Sequence, residues 1–380
     1  MSRSQWRGSR RPRAKQARGA SRVGERFEAV VGPVAHGGHC VVRLDPPEAR
    51  VVFVRHAIPG ERVVLEITEG TDGDRFWRGD AVEVLEPSAD RITPPCPYAG
   101  PGLCGGCDFQ HVALPAQRGL KTAVVREQLS RLAGITWDGE VEAVPGDVDG
   151  LHWRSRQRYA RLPDGGRAMR KHRSHDLIPV ETCLLEGPSS DHTALGRSFE
   201  VADEGFWQVH PGAPDVLVTT VLEMLAPQPG ERCLDLYAGV GLFSRFLLDA
   251  VGESGRVVAI EGDRTASALS ARNCPGLVVS AGSVDQVLTT SYDEPFDLVV
   301  LDPPREGARR AVVEQVVDRA PRAVAYVACD PAALARDLAI FAELGYRLRE
   351  LRGFDLFPMT HHIECVALLE PSGVTDRRSR

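Results

Sequence analysis

Cys329 lies in Tyr326-Val327-Ala328-Cys329-Asp330-Pro331, a short apolar run that ends in a thiol, an acid and a proline. The run reads as a β-strand and the proline as its stop. A thiol at a strand tip in an α/β domain stands where ligands usually bind, and thiols are nucleophiles. Cys233 to Ser244 reads as a strand, a turn carrying Gly239 and Gly241, and the start of a helix. Glycines let backbone approach a ligand closely, and a helix N-terminus favours electron-rich groups. Glu261 ends the next strand, where a carboxylate suits the two ribose hydroxyls of a nucleoside. Phe296 to Leu301 reads as a buried strand ending in Asp302-Pro303-Pro304-Arg305, with the prolines stiffening the loop. Together these residues suit covalent attack through sulfur beside a bound, nucleotide-like cofactor.

The elements that must position them follow from periodicity. Over residues 215–370, apolar strands at Arg232 to Leu236, Arg256 to Ile260, Leu277 to Ser280, Leu298 to Leu301, Ala323 to Ala328 and Glu364 to Leu369 alternate with helical stretches. That is the pattern of a doubly wound α/β domain. Residues 22–87 carry five short alternating runs punctuated by Gly and Pro, which argue for a small β-barrel. Residues 88–200 are irregular, with one helical segment near Leu114 to Leu132. The expected organisation is a basic disordered arm over 1–21, a barrel over 22–87, a central region over 88–200, an α/β domain over 201–372 and a tail over 373–380.

Composition narrows the function classes. The net charge of −6 does not advertise a nucleic-acid partner, yet the first 22 residues hold eight cations and no acid. Such an arm often contacts nucleic acid, and it also reads as a solubilising tail. No apolar stretch is long enough for a transmembrane helix, and no signal-peptide core follows the basic start, so a soluble cytoplasmic protein is expected. Nine cysteines, an odd number, do not make a disulfide framework. Cys96, Cys104 and Cys107 cluster, with Cys183 isolated downstream; four thiolates can hold zinc or an iron–sulfur cluster. Zinc ribbons arrive as two Cys-x2-Cys pairs, and only one such pair is present here, so the three-plus-one grouping favours 4Fe-4S over zinc or free thiols. Cys40, Cys233, Cys274 and Cys365 read as packing residues. His152 to Tyr159 alternates basic and aromatic residues, with Arg167, Arg170, Lys171, His172 and Arg173 nearby; cations and rings suit unpaired RNA, and a solvated strand with packing aromatics reads the same way.

The glycine turn looks like the first motif of class I S-adenosylmethionine methyltransferases. A thiolate can add to carbon 6 of a pyrimidine, making carbon 5 nucleophilic, and a base must then take the carbon 5 proton. Cys329 is the candidate nucleophile and Glu364 the candidate base. Gly239-Val240-Gly241, Asp302-Pro303-Pro304-Arg305-Glu306-Gly307, the Cys329 run and the closing Phe357-Pro358-x-Thr360-x-His362-Ile363-Glu364 occur in the order of the RNA uridine-5-methyltransferase family, which the chain resembles over roughly residues 22–370. The resemblance implies catalysis by Cys329 and Glu364. It implies cofactor contacts from Gln208, Tyr237, Gly239, Gly241, Glu261, Ser283 and Asp302. It further implies a TRAM-like (OB-like) barrel and a 4Fe-4S cluster on Cys96, Cys104, Cys107 and Cys183, features of the 23S ribosomal RNA branch. The target is then carbon 5 of a uridine, in 23S rRNA in preference to transfer RNA, with no membrane and no obligate protein partner.

Three residues depart from the family pattern: His210 and Asp330 where asparagine is usual, and Leu242 where asparagine is frequent. A negative charge at Asp330 would raise the pKa of the neighbouring thiol, and a nearby arginine such as Arg305 would offset it. Two other readings stand beside the uridine methyltransferase. One is a base-amine methyltransferase using Asp302-Pro303-Pro304. The other is a non-catalytic RNA-binding or ribosome-assembly factor with a degenerate site.

Overall fold

The structure is a computed structural model that describes residues 19–373. The basic arm expected over 1–21 and the tail over 373–380 lie outside the described residues, apart from 19–21 and 373. The chain forms two compact units. The first holds the described residues up to Pro33 and His39–Ser88; the second holds Val34–Gly38 and everything from Ala89 onward.

The first unit contains β1 (Arg26–Val30), β3 (His39–Arg43), β4 (Val51–Arg55), β5 (Arg62–Glu69) and β6 (Phe76–Glu86), with β2 (Val34–Ala35) in the segment assigned to the second unit. The first unit's strands are ordered β1-β5-β6-β4-β3. Alternate residues of β5, including Val63, Leu65 and Ile67, are fully buried, the period-two burial expected of a strand with one face on a core.

In the second unit, α1 (Leu114–Ala133) is followed by β7 (Val141–Glu142) and the short strands β8 (Ala160–Arg161), β9 (Arg167–Arg170), β10 (Leu177–Pro179), β11 (Thr193–Ala194) and β12 (Arg197–Ser198). Next come α2 (Ala213–Leu225), β13 (Arg232–Leu236), α3 (Leu242–Val251), β14 (Arg256–Glu261), α4 (Arg264–Asn273), β15 (Val278–Ala281) and α5 (Val284–Ser291). The chain closes with β16 (Leu298–Leu301), α6 (Arg309–Asp318), β17 (Ala323–Ala328), α7 (Pro331–Glu343), β18 (Tyr346–Phe354) and β19 (Glu364–Pro371). An eight-stranded sheet runs β15-β14-β13-β16-β17-β19-β18-β7. Strands β13 to β17 pair in parallel, while β19 runs antiparallel to both β17 and β18. Every residue of β16 and β17 is buried, which is why both read as unbroken apolar runs. Leu217, Val221, Phe243 and Phe246 from α2 and α3 pack on Val300, Ala325, Val327 and Val366 of the sheet.

The segment before Glu364 is held by α1 through polar side chains. Gln117 Nε2 donates to the carbonyls of Phe109 and Val112, and its Oε1 accepts from Met359 N at 2.8 Å. Lys121 Nζ lies 2.5 Å from Asp355 Oδ1 and donates to Phe357 O at 3.0 Å. Both charged side chains are almost wholly buried, and burial lowers the Lys121 pKa. Removing one member leaves the other charge buried alone, which costs far more than replacing both. Lys121→Ala is therefore expected to destabilise the second unit by about 3–5 kcal/mol, read by denaturant unfolding, whereas Lys121→Met with Asp355→Leu recovers most of that loss.

Candidate active site

The ladder between β17 and β19 sets the register Tyr326↔Ala367, Val327↔Val366 and Ala328↔Cys365. One further step places Cys329 opposite Glu364. Cys329 is half-buried, and its thiol is pushed up to about 12 by burial and then by the Glu364 and Asp302 carboxylates, with Arg305 opposing. Glu364 is buried, and burial followed by the Asp302 charge raises its pKa well above the usual carboxylate range; Arg305 again opposes. In the free cleft at neutral pH the Cys329 thiol holds its proton.

Asp330 proves a smaller influence on the thiol than its sequence position implies. It acts on Cys329 less than burial, Glu364, Asp302 or Arg305. Its Oδ1 accepts from Ala333 N at 2.7 Å and so caps α7, and its Oδ2 lies 3.0 Å from His36 Nε2. Burial alone would raise the Asp330 pKa, but these hydrogen bonds bring it below the ordinary value. Downstream, His361 Nδ1 sits 2.6 Å from Asp108 Oδ2. His362 lies 3.4 Å from an Arg305 nitrogen and is pushed down to about 3 by burial, then by His361 and Arg305, so it is neutral.

The cofactor candidates lie along the carboxyl ends of β13, β14 and β16. Tyr237 follows β13 with φ of 66°, an uncommon left-handed conformation for a bulky residue. Gly241 has φ of 92°, and a Cβ there would come within 2.8 Å of Cys274 Sγ, so only glycine fits. Gly239, with φ of 56°, has open space where a Cβ would stand, leaving its backbone accessible to a ligand. Glu261 Oε2 accepts from Gly239 N at 2.8 Å and ties the turn to the end of β14. Gln208 is buried just before α2, and Ser283 sits at the N-cap of α5 with its hydroxyl donating to Asp285. His210 is buried beside Trp153 and pushed down to about 4, chiefly by burial; its Nδ1 accepts from Gly212 N, so this departure from the family pattern is a neutral packing residue.

The acid that opens the glycine-turn pattern, four residues before Gly239, had no role of its own in the sequence analysis. Asp235, inside β13, is fully buried, accepts from both Ser244 N and Ser244 Oγ, and has its other carboxylate oxygen unpartnered. Burial raises it to about 6, and Glu261 adds to the rise. Asp302 is raised to about 7 by burial and then by Asp235 and Glu261. An acid within an apolar strand is the signal that could have found Asp235. The mutual repulsion of these carboxylates and the unpartnered Asp235 oxygen suit a cationic ligand, as a sulfonium is.

Cys96, Cys104, Cys107 and Cys183 line one pocket with Arg154, Gln157 and Met169. Gly106 N points at Cys104 Sγ at 3.4 Å and Gln110 Nε2 at Cys107 Sγ at 3.6 Å, contacts that favour thiolate ligands. Among the described residues no group of three or more His, Cys, Asp or Glu side chains is placed to hold a metal ion. Cys40, Cys233, Cys274 and Cys365 are buried. The basic-aromatic stretch divides in an unexpected way. Trp153 is buried and packs on Phe357, so its ring is no free stacking platform, and the half-buried Tyr159 ring carries the Arg167 guanidinium on its face at 4.9 Å. Tyr159 lines an open cleft of about 540 Å³ together with Arg158, Arg170, Lys171, His172 and Arg173.

A doubly wound sheet with a glycine turn, acidic strand ends and a thiol–carboxylate pair defines a class I methyltransferase. The family model described as tRNA (Uracil-5-)-methyltransferase matches residues 283–372. An uncharacterized RNA methyltransferase of Streptomyces avermitilis is 42% identical over 431 residues, covering 92% of this chain and 99% of the relative. The 23S rRNA (uracil(1939)-C(5))-methyltransferase RlmD of Shewanella sp. (strain MR-4) is 30% identical, covering 85% and 91%. The crystal structure of Pyrococcus abyssi tRNA (uracil-54, C5)-methyltransferase with S-adenosyl-L-homocysteine superposes with a TM-score of 0.68 at 19% identity, covering 90% of this chain and 99% of that one, and shows a shared fold. The chain belongs to the S-adenosylmethionine-dependent RNA uracil-5-methyltransferase family.

Two outcomes follow from the site's electrostatics. Asp302 is raised in the folded state, so its contribution to stability is present at low pH and lost as pH rises through about 7. Asp302→Asn is expected to raise the Tm of the ligand-free protein near pH 8 while weakening S-adenosylmethionine binding by roughly tenfold, the scale of one lost charge interaction in a cleft; wild-type affinity falls as pH drops below about 7. Calorimetry across that range checks both. In the free enzyme, Cys329 alkylation by iodoacetamide is expected to keep rising with pH up to about 10, with no plateau. Asp330→Asn leaves that profile nearly unchanged.

Proposed function

We propose that the enzyme methylates carbon 5 of a uridine in 23S rRNA, with Cys329 as nucleophile and Glu364 as base. The observation that carries this reading is the register that sets the two side chains opposite each other in a buried cleft. The Cys329 thiol gives up its proton to solvent, its sulfur adds to carbon 6 of the uracil, and carbon 5 of the resulting enolate takes the methyl group. Glu364 then removes the carbon 5 proton, and the carbon–sulfur bond breaks to free the thiolate. Bound S-adenosylmethionine supplies the methyl group as an electrophilic sulfonium. Burial makes the Glu364 carboxylate a strong base once ionised, and Arg305 favours the anionic forms of both groups. Gln208, Tyr237, Gly239, Gly241, Glu261, Ser283 and Asp302 hold the donor in this reading, with Asp235 supporting the turn.

The ribosomal RNA assignment draws on the RlmD relatives and on the cysteine pocket. Cys96, Cys104, Cys107 and Cys183 hold a 4Fe-4S cluster in this reading, and Arg154 offsets its charge. The transfer involves no electron, so the cluster would order the central region and its RNA-facing segment. Gly105 N donates to Arg170 O at 2.9 Å, which ties the cysteine loop to the basic segment Arg170–Arg173. The first unit acts as a TRAM-like RNA-binding barrel. A cytoplasmic location fits a ribosomal RNA substrate; among the described residues no helix is long and apolar enough to cross a membrane.

Purified enzyme with S-adenosylmethionine and unmodified 23S rRNA is expected to form 5-methyluridine, detected by nucleoside mass spectrometry. Cys329→Ala loses activity at least about 1,000-fold. A Cys329→Ala enzyme with full activity would indicate base-amine methylation instead. Anaerobically purified protein is expected to contain about four irons and four sulfides, and a colourless zinc protein contradicts that assignment.

A further inference from the structure

An open cleft of about 650 Å³ beside the catalytic loop is lined by Arg305, Arg309, Arg310 and Arg336, with His36, Glu306, Asp330 and Asp337. The catalytic and donor-binding roles use none of Arg309, Arg310 or Arg336. All four guanidinium side chains are exposed. Arg310 is paired with Glu314 and Glu343. Among the described residues, Arg305, Arg309 and Arg336 have no carboxylate in ion-pair contact. Two of the acids in the wall are already engaged. Asp337 accepts from Ala308 N, Arg309 N and the Tyr326 hydroxyl, and Asp330 is held by Ala333 N and His36. The cleft thus presents Arg309 and Arg336 to solvent with no carboxylate partner, beside Arg305, which meets His362 Nε2 at 3.4 Å and also acts on Cys329 and Glu364.

We propose that this cleft is a phosphodiester-binding cradle that grips the backbone of the RNA strand next to the uridine undergoing attack. Planar guanidiniums match phosphate oxygens with paired donors, and a wide polar cleft admits a backbone that a closed pocket would exclude. Because Arg305 belongs to both places, a phosphate here sits adjacent to the base that enters the Cys329–Glu364 cleft. The cradle holds backbone and carries no sequence information, so it sets affinity and register and leaves base choice to the cleft. The His36–Asp330 pair forms one wall and engages the acid that would otherwise repel the phosphate.

This inference rests on the RNA methyltransferase reading, and the test separates the two. The wild type and the variant carrying Arg309→Gln and Arg336→Gln are compared for 23S rRNA transcript binding and methylation over a range of salt concentrations. An unchanged Tm shows that these exposed substitutions leave the fold intact. The glutamine pair is expected to raise KM and Kd for RNA roughly tenfold and to reduce the slope of log affinity against log salt by about 1. Arg309→Lys with Arg336→Lys restores the slope, because the charges return. The cradle is overturned if the glutamine pair binds RNA with wild-type affinity and slope, or if the lysine pair is as weak as the glutamine pair. If the loss appears only in binding to an acidic protein, the surface serves a protein partner and the cradle is likewise overturned. A wild-type enzyme that methylates no RNA refutes the underlying reading, whatever the variants do.

Discussion

Antiparallel pairing of β19 against β17 is the constraint on which the site depends. The rest of the sheet's core is parallel, so its strand ends collect donor-binding groups on one edge. A reversed strand delivers its first residue to that same edge. Glu364 therefore starts β19 where Cys329 follows β17, although a helix, a strand and a loop separate them in sequence. The loop that feeds β19 is fastened to α1 by Gln117 and by the buried Lys121–Asp355 pair. A buried ion pair adds little net stability, but its geometry is specific, and here it fixes where the strand begins.

The second organising feature is an imbalance of charge. Asp235, Glu261, Asp302 and Glu364 act on one another at the strand ends, and the Arg305 guanidinium opposes them at Glu364. Such a cleft is costly when empty of ligand and favours a positively charged one. The same burial that raises the pKa of the Cys329 thiol and of the Glu364 carboxyl strengthens each as nucleophile and base when it loses its proton. Asp330 could have added to this burden, but it serves as the cap of α7 and the partner of His36.

Much of this was legible in the sequence because the relevant elements obey local rules. Strands β13, β14, β16 and β17 are apolar runs bounded by turn residues, and their observed limits match the expected ones within a residue. The helix expected near Leu114 to Leu132 is α1. Cys329, Glu364 and the glycine turn stand at ends that such runs define. Strand β18 was missed because Tyr346–Phe354 carries four arginine or glutamate side chains before its final turn toward the core, and its pairing with β19 and β7 makes it a strand. Asp235 was visible as the acid four residues before Gly239, but its burial and its unpartnered oxygen are set by tertiary packing that the pattern does not encode. The Trp153 ring looked available for stacking but is buried, since alternation of cations and aromatics does not say which face is buried. His36 lies nearly 300 residues from Asp330, a long-range contact that no local pattern encodes.

The most direct measurement is the fate of the RNA in a Glu364→Gln enzyme. If Cys329 forms the bond to carbon 6 and Glu364 removes the carbon 5 proton, this variant transfers the methyl group but cannot release the product. A denaturation-resistant complex of protein and methylated RNA should then accumulate, with the linkage mapped to Cys329 by mass spectrometry and absent when Cys329→Ala is added. Free 5-methyluridine product at the wild-type rate from Glu364→Gln, with no covalent complex, would contradict the account.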